Sequence, residues 1–160
     1  MDVQTSPTGL HPAGLLMISP GVGIQLEDYM ERILPGSVAK LKAGQVLDHP
    51  AADRTRIRVD LECLQEFVNN CVTRRQEAVN ISCPVVRIVH GLYDKLVPYG
   101  NSLKLLHLLK SANKGLFLIN DGHFIKDQHA IGYALDSLWN SLLIKEQTIQ
   151  QQKQERLMNS

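Results

Sequence analysis

Two residues in this 160-residue chain are of the types that acid–base chemistry needs: Asp94, in the stretch HGLYDKLVP, and His123, in NDGHF. A carboxylate that accepts the proton of one imidazole nitrogen fixes the tautomer and orientation of the ring. The other nitrogen is then free to take a proton from a nucleophile. Each residue alone has a plainer explanation, because an aspartate in a turn is commonly a turn former and a lone histidine commonly packs. They become a pair only if topology joins them, since they lie roughly thirty positions apart. Gly122, just before the histidine, is expected to let the backbone turn sharply enough for the ring to reach inward.

The elements that must position them can be read from the apolar pattern. GLLMISP (14–20), PVVRIVHG (84–91) and GLFLIND (115–121) are short, near-continuous apolar runs, as expected of strands buried on both faces. Asn101 or Ser102 is a candidate N-cap for a helix over NSLKLLHLLKSA (101–112). AIGYALDSLWNSLL (130–143) reads as an amphipathic helix with Ile131, Ala134, Leu135, Leu138 and Leu142 on its inner stripe. The tail KEQTIQQQKQERLMNS is expected to extend that helix into solvent and fray. Residues 21–80 are more polar and irregular: QLEDYMERIL and VAKLKAG read as short helices and DHPAADRT as a loop. RIRVDLECLQEFVNNCV begins with strand alternation and turns helical, with Leu61, Leu64, Phe67, Val68 and Cys71 on one face. Strands alternating with helices imply right-handed crossovers and a parallel sheet. In such sheets, functional groups collect beyond the carboxyl ends of the strands. That rule places Asp94 and His123 on the same rim.

Composition excludes several classes. Hydrophobic residues make up 44%, charged residues 21%, and the formal net charge is +1. This leaves no electrostatic case for nucleic acid or an anionic membrane surface. The apolar runs are too short to span a bilayer. MDVQTSPTGLHP has neither a basic n-region with an apolar h-region nor an Arg-rich amphipathic pattern, so no targeting segment is expected there. Cys63, Cys71 and Cys83 contain no CxxC pair and read as buried reduced thiols. His123, Asp127 and His129 are close in sequence, but the spacing does not hold one helix face and no metal site is expected. His90 is expected to pack and hydrogen-bond beneath the acid loop, and Tyr99 and Trp139 to sit in the core or a pocket wall.

CPVVRIVHGLYDKLVP followed by LFLINDGHF resembles the last third of the α/β-hydrolase fold. The acid loop of that family has the form cPv…iHG..D..vP, and its histidine follows the final strand. Asp94 matches the acid and His123 the general base, framed by Pro84, His90, Gly91, Val97 and Pro98. The resemblance covers about residues 81–143 and extends more loosely back to Gly14. PGVGIQLEDYMERILP and LECLQEFVNNC look most like the branch of mitochondrial acyl-protein thioesterases that also hydrolyse acyl glucuronides.

The resemblance implies the C-terminal half of an α/β-hydrolase fold over 14–144, with parallel strands, flanking helices and a helical cap insert at about 21–80. A flexible leader (1–13) would precede it and a polar helical tail (145–160) follow. It further implies a serine hydrolase acting on carboxylic esters or thioesters, of small molecules or acylated proteins, with no metal or organic cofactor, in mitochondria or cytosol. Leu26, Tyr29, Met30 and Phe67 of the insert could then line an acyl pocket.

The departure from the family is the nucleophile. No G-x-S-x-G occurs in the chain: Ser19 ends a strand in Ser-Pro-Gly, Ser37 lies in the insert, and GNSLK follows the acid and lacks the final glycine. The expectation is therefore two triad members of three, and no turnover by this chain alone. The alternative is a non-catalytic form that binds a partner, or itself, through an open sheet edge.

Overall fold

The computed structural model describes residues 12–23, 26–50, 55–69 and 83–159. Cys71, and all of the expected leader except residues 12 and 13, lie outside them. Three strands, β1 (Gly14–Ile18), β4 (Val85–Gly91) and β5 (Asn113–Ile119), form a parallel sheet in the order β1-β4-β5. Gly91 stands opposite Ile119, so β4 and β5 end level, whereas β1 ends at Ile18 opposite Val89, two residues short of them. Every residue of the central strand β4 is buried. This explains why its sequence runs apolar instead of alternating.

Side chains alternate across a strand, and the two faces of β4 meet different helices. Val86 and Ile88 pack with Leu105 and Leu109, in and just after α4 (Gly100–Leu108), and with Cys83. Leu15, Met17 and Leu116 close the same cluster. The opposite face is covered by α5 (Gln128–Met158), whose Leu138 and Leu142 come so close to Gly14 that a β-carbon there would meet them at 3.1–3.2 Å. Arg87 projects to this face, only 6% exposed. Its Nε donates to Ser137 Oγ at 2.9 Å and its Nη2 to Ser141 Oγ at 2.6 Å. Nη1 donates to the carbonyl of Val86. Burial lowers the guanidinium pKa, and the i, i+4 serine pair of α5 supplies the acceptors that a buried cation requires.

The insert has a core of its own. It comprises α1 (Leu26–Ile33), α2 (Ser37–Lys42), the strands β2 (Leu47–Pro50) and β3 (Arg56–Val59), and α3 (Leu61–Asn69). β2 and β3 pair antiparallel as a separate two-stranded sheet. The sequence reading missed β2, because LDHP has no apolar alternation and a proline at its end. Met30, Leu41, Val59 and Leu64 are buried together, flanked by Tyr29, Leu34, Val38, Leu47 and Leu61. Glu31 joins α1 to α2 by accepting the backbone N–H groups of Gly36 (2.8 Å) and Val38 (3.0 Å), which lowers its pKa.

Several expected placements differ. Met30 is fully enclosed in the insert's core instead of lining a pocket, while Phe67 is exposed. Leu135, on the expected inner stripe of α5, is also exposed, as are Tyr99 and Trp139. Ala134 is the fully buried member of that stripe. Cys83 is buried, whereas Cys63 is exposed. The tail remains helical to Met158 with its side chains in solvent. Of the described residues, no helix is long and apolar enough to cross a membrane.

Candidate active site

Asp94 lies three residues beyond the end of β4 and His123 four beyond the end of β5. The two loops are fastened by backbone bonds: Leu92 N–H donates to Ile119 O (2.8 Å) and Tyr93 N–H to Asp121 O (2.9 Å). Gly91 permits this approach, since a β-carbon there would collide with the carbonyl oxygens of Gly122 and Asp121. The glycine that the geometry demands is thus Gly91. Gly122, expected to fill that role, has open space around it and no positive φ.

His123 Nδ1 and Asp94 Oδ2 are 2.8 Å apart, with the carboxylate fully buried and the imidazole 27% exposed. Asp94 Oδ1 accepts the backbone N–H groups of Leu96 (2.9 Å) and Val97 (2.8 Å). The aspartate therefore shapes its own turn and still presents its second oxygen to the histidine. With Nδ1 donating to Asp94, Nε2 on the far side of the ring faces away from the carboxylate. Phe124 meets the ring edge-on at a centroid distance of 5.2 Å.

The histidine loop has its own organiser. Asp121 accepts backbone N–H groups from Lys126 (2.5 Å), Gly122 (2.9 Å) and Asp127 (3.3 Å). The bond from Lys126, then that from Gly122, draw its carboxyl below the usual carboxylate range. Asp127 caps α5 by accepting Ala130 N–H at 3.1 Å. Among the described residues no group of three or more His, Cys, Asp or Glu side chains could hold a metal ion.

His90, the last residue of β4 on the α4 face, is fully buried. Its Nδ1 is 2.7 Å from Ser102 Oγ, and its Nε2 is 2.8 Å from Val97 O and 3.1 Å from Asp94 Oδ2. Ser102 is therefore not an N-cap; Tyr99 holds that position, with no side-chain cap. Sequence reading placed His90 beneath the acid loop, and its contact with the carboxylate, four residues along the chain, is made where that loop folds back over the strand end. Ser19 has a left-handed φ of 41° and a buried hydroxyl with no hydrogen-bond partner among the described residues, so it is not bonded to His123. The hydroxyl of Ser37 is likewise buried and unpartnered.

No protein-family model and no curated protein matches the sequence. Solved structures do match the fold. The mouse alpha/beta hydrolase domain-containing protein 10 is 20% identical with a TM-score of 0.59, covering 88% of this chain and 54% of its own. A putative hydrolase from Agrobacterium vitis S4 is 20% identical with a TM-score of 0.60, covering 81% and 49%. The Paleococcus ferrophilus monoacylglycerol lipase is 16% identical with a TM-score of 0.52, covering 85% and 60%. The chain thus spans about half to three-fifths of the length of these structures. All three neighbours are hydrolases by description. A parallel sheet flanked by helices, with these neighbours, is the α/β-hydrolase fold, and this chain is built on it.

Proposed function

We propose that this chain supplies the acid and the base of a serine hydrolase that cleaves carboxylic esters or thioesters. Asp94 orients His123 and stabilises the imidazolium; His123 activates a serine and then water. The observation that carries this reading is the 2.8 Å contact between His123 Nδ1 and a fully buried Asp94 carboxylate, on the rim where parallel α/β sheets keep their chemistry. No G-x-S-x-G occurs in these 160 residues, so the nucleophile comes from a further segment. The resemblance to the acyl-protein thioesterase and acyl-glucuronide esterase branch favours an acyl substrate, and a mitochondrial or cytosolic setting.

A fluorophosphonate probe and an activated acyl ester test this. The 160-residue chain alone is expected to show neither labelling nor burst release. Joined to or co-expressed with a G-x-S-x-G segment of the same gene, it is expected to label, and His123→Ala to abolish the labelling. Burst release by the chain alone, lost in His123→Ala, would place the nucleophile within it. No labelling of the longer protein would remove the hydrolase reading.

A second reading rests on β1, which among the described residues pairs on one side only, with β4. A non-catalytic form would bind a partner, or another copy of itself, along that free edge.

A further inference from the structure

We propose that His90 and Ser102 are positioning residues that act on His123 through Asp94. This rests on reading Asp94 and His123 as the acid–base pair. His90 Nε2 faces two oxygen acceptors, Val97 O at 2.8 Å and Asp94 Oδ2 at 3.1 Å. A lone pair there would oppose both, so Nε2 carries a proton. Nδ1 then offers its lone pair to Ser102 Oγ, 2.7 Å away, which a hydroxyl meets by donating. Ser102, itself fully buried in the first turn of α4, thereby pairs the lone pair that this tautomer leaves on Nδ1.

The carboxylate of Asp94 has all of its faces occupied. Oδ1 takes the N–H groups of Leu96 and Val97, Oδ2 takes the N–H of His123, and His90 Nε2, whose N–H donates to the Val97 carbonyl, lies against Oδ2 at 3.1 Å. Buried carboxylates require such saturation. Val97 serves the arrangement at both ends, with its N–H on Asp94 and its carbonyl on His90. The network runs from Ser102 through His90 and Asp94 to His123, and only its last member reaches solvent. If the hydroxyl is removed, Nδ1 of His90 loses its partner inside the core, which loosens the ring and with it the carboxylate that holds His123.

Imidazole nitrogen NMR of the 160-residue chain tests this, with amide spectra to confirm the fold. Wild type is expected to show His90 protonated at Nε2 and His123 protonated at Nδ1, with a slowly exchanging downfield proton. In His90→Leu, which frees the Val97 carbonyl and removes the ring beside Oδ2, that proton is expected to exchange about tenfold faster, as for one lost hydrogen bond. In His90→Gln, whose amide can donate to the Val97 carbonyl, it is expected to persist. Ser102→Ala is expected to shift the Nδ1 resonance of His90 and to speed exchange of the His123 proton, and it decides the matter should His90→Leu not fold. An unchanged His123 resonance in a folded His90→Leu, or in a folded Ser102→Ala, overturns the proposal. Asp94→Asn separates the two failures. If His123 is unchanged there, the acid–base reading falls and takes this proposal with it. If it changes there but not in His90→Leu, only the role of His90 is lost.

Discussion

Gly91 has no room for a side chain, because the carbonyls of Asp121 and Gly122 occupy the space that a β-carbon would need. Gly91→Ala must therefore push the acid loop away from the histidine loop. It is expected to cost about 1–3 kcal/mol in urea unfolding, as overpacking does, and to lengthen the Asp94–His123 contact in NMR. Asp121 makes the same loop sensitive to acid. Its folded-state pKa is depressed by backbone N–H donors, chiefly that of Lys126. The stabilisation is thus fully present above the unfolded value of about 4 and lost as pH falls through the depressed one. Amide protection of residues 122–127, taken relative to the intrinsic exchange rate at each pH, is expected to fall only below about pH 4 in wild type. In Asp121→Asn that protection is expected to be lower at pH 6 and nearly independent of pH.

At the scale of elements, β4 and α5 are joined by a polar contact through an otherwise apolar layer. Arg87 has given up water for Ser137, Ser141 and backbone carbonyls. Ser141→Ala removes the 2.6 Å acceptor from a buried cation and is expected to destabilise by about 1–3 kcal/mol. Adding Arg87→Met is expected to cost less than the sum of the two single changes, since the orphaned charge is gone. Chemical denaturation of the four-member cycle measures this. The strand can carry an arginine because serines one helical turn apart on α5 face it, a spacing visible in DSLWNSLL only once the strand opposite is known.

For the whole molecule, the edge of β1 that pairs with none of the described residues is the feature with consequences beyond the site. Ser19 N–H donates to Val89 O, so in this parallel ladder the odd-numbered residues of β1 direct their N–H groups at β4. The even ones, Leu16 and Ile18, direct theirs outward. Such a row of unpaired donors and acceptors is a template for another strand. The 160-residue chain is expected to sediment as oligomers at tens of micromolar. Ile18→Pro removes one outward donor without touching the ladder to β4, and is expected to shift the distribution toward monomer. A monomeric wild type at that concentration would count against edge pairing.

The parallel strands, their helices and the two loops that carry Asp94 and His123 are legible in the amino-acid order, because apolar runs and helical periods are local properties of the chain. The surroundings of the pair come from packing between elements. Gly91 beneath the histidine loop, Ser102 behind His90 and Ser137 and Ser141 beneath Arg87 all depend on strand register and helix docking. Those contacts join residues from different elements, and register turns on side chains that no local window contains. The insert illustrates the same limit. Its short polar strands and mixed helices became legible once Met30, Leu41, Val59 and Leu64 were seen to share a core of their own.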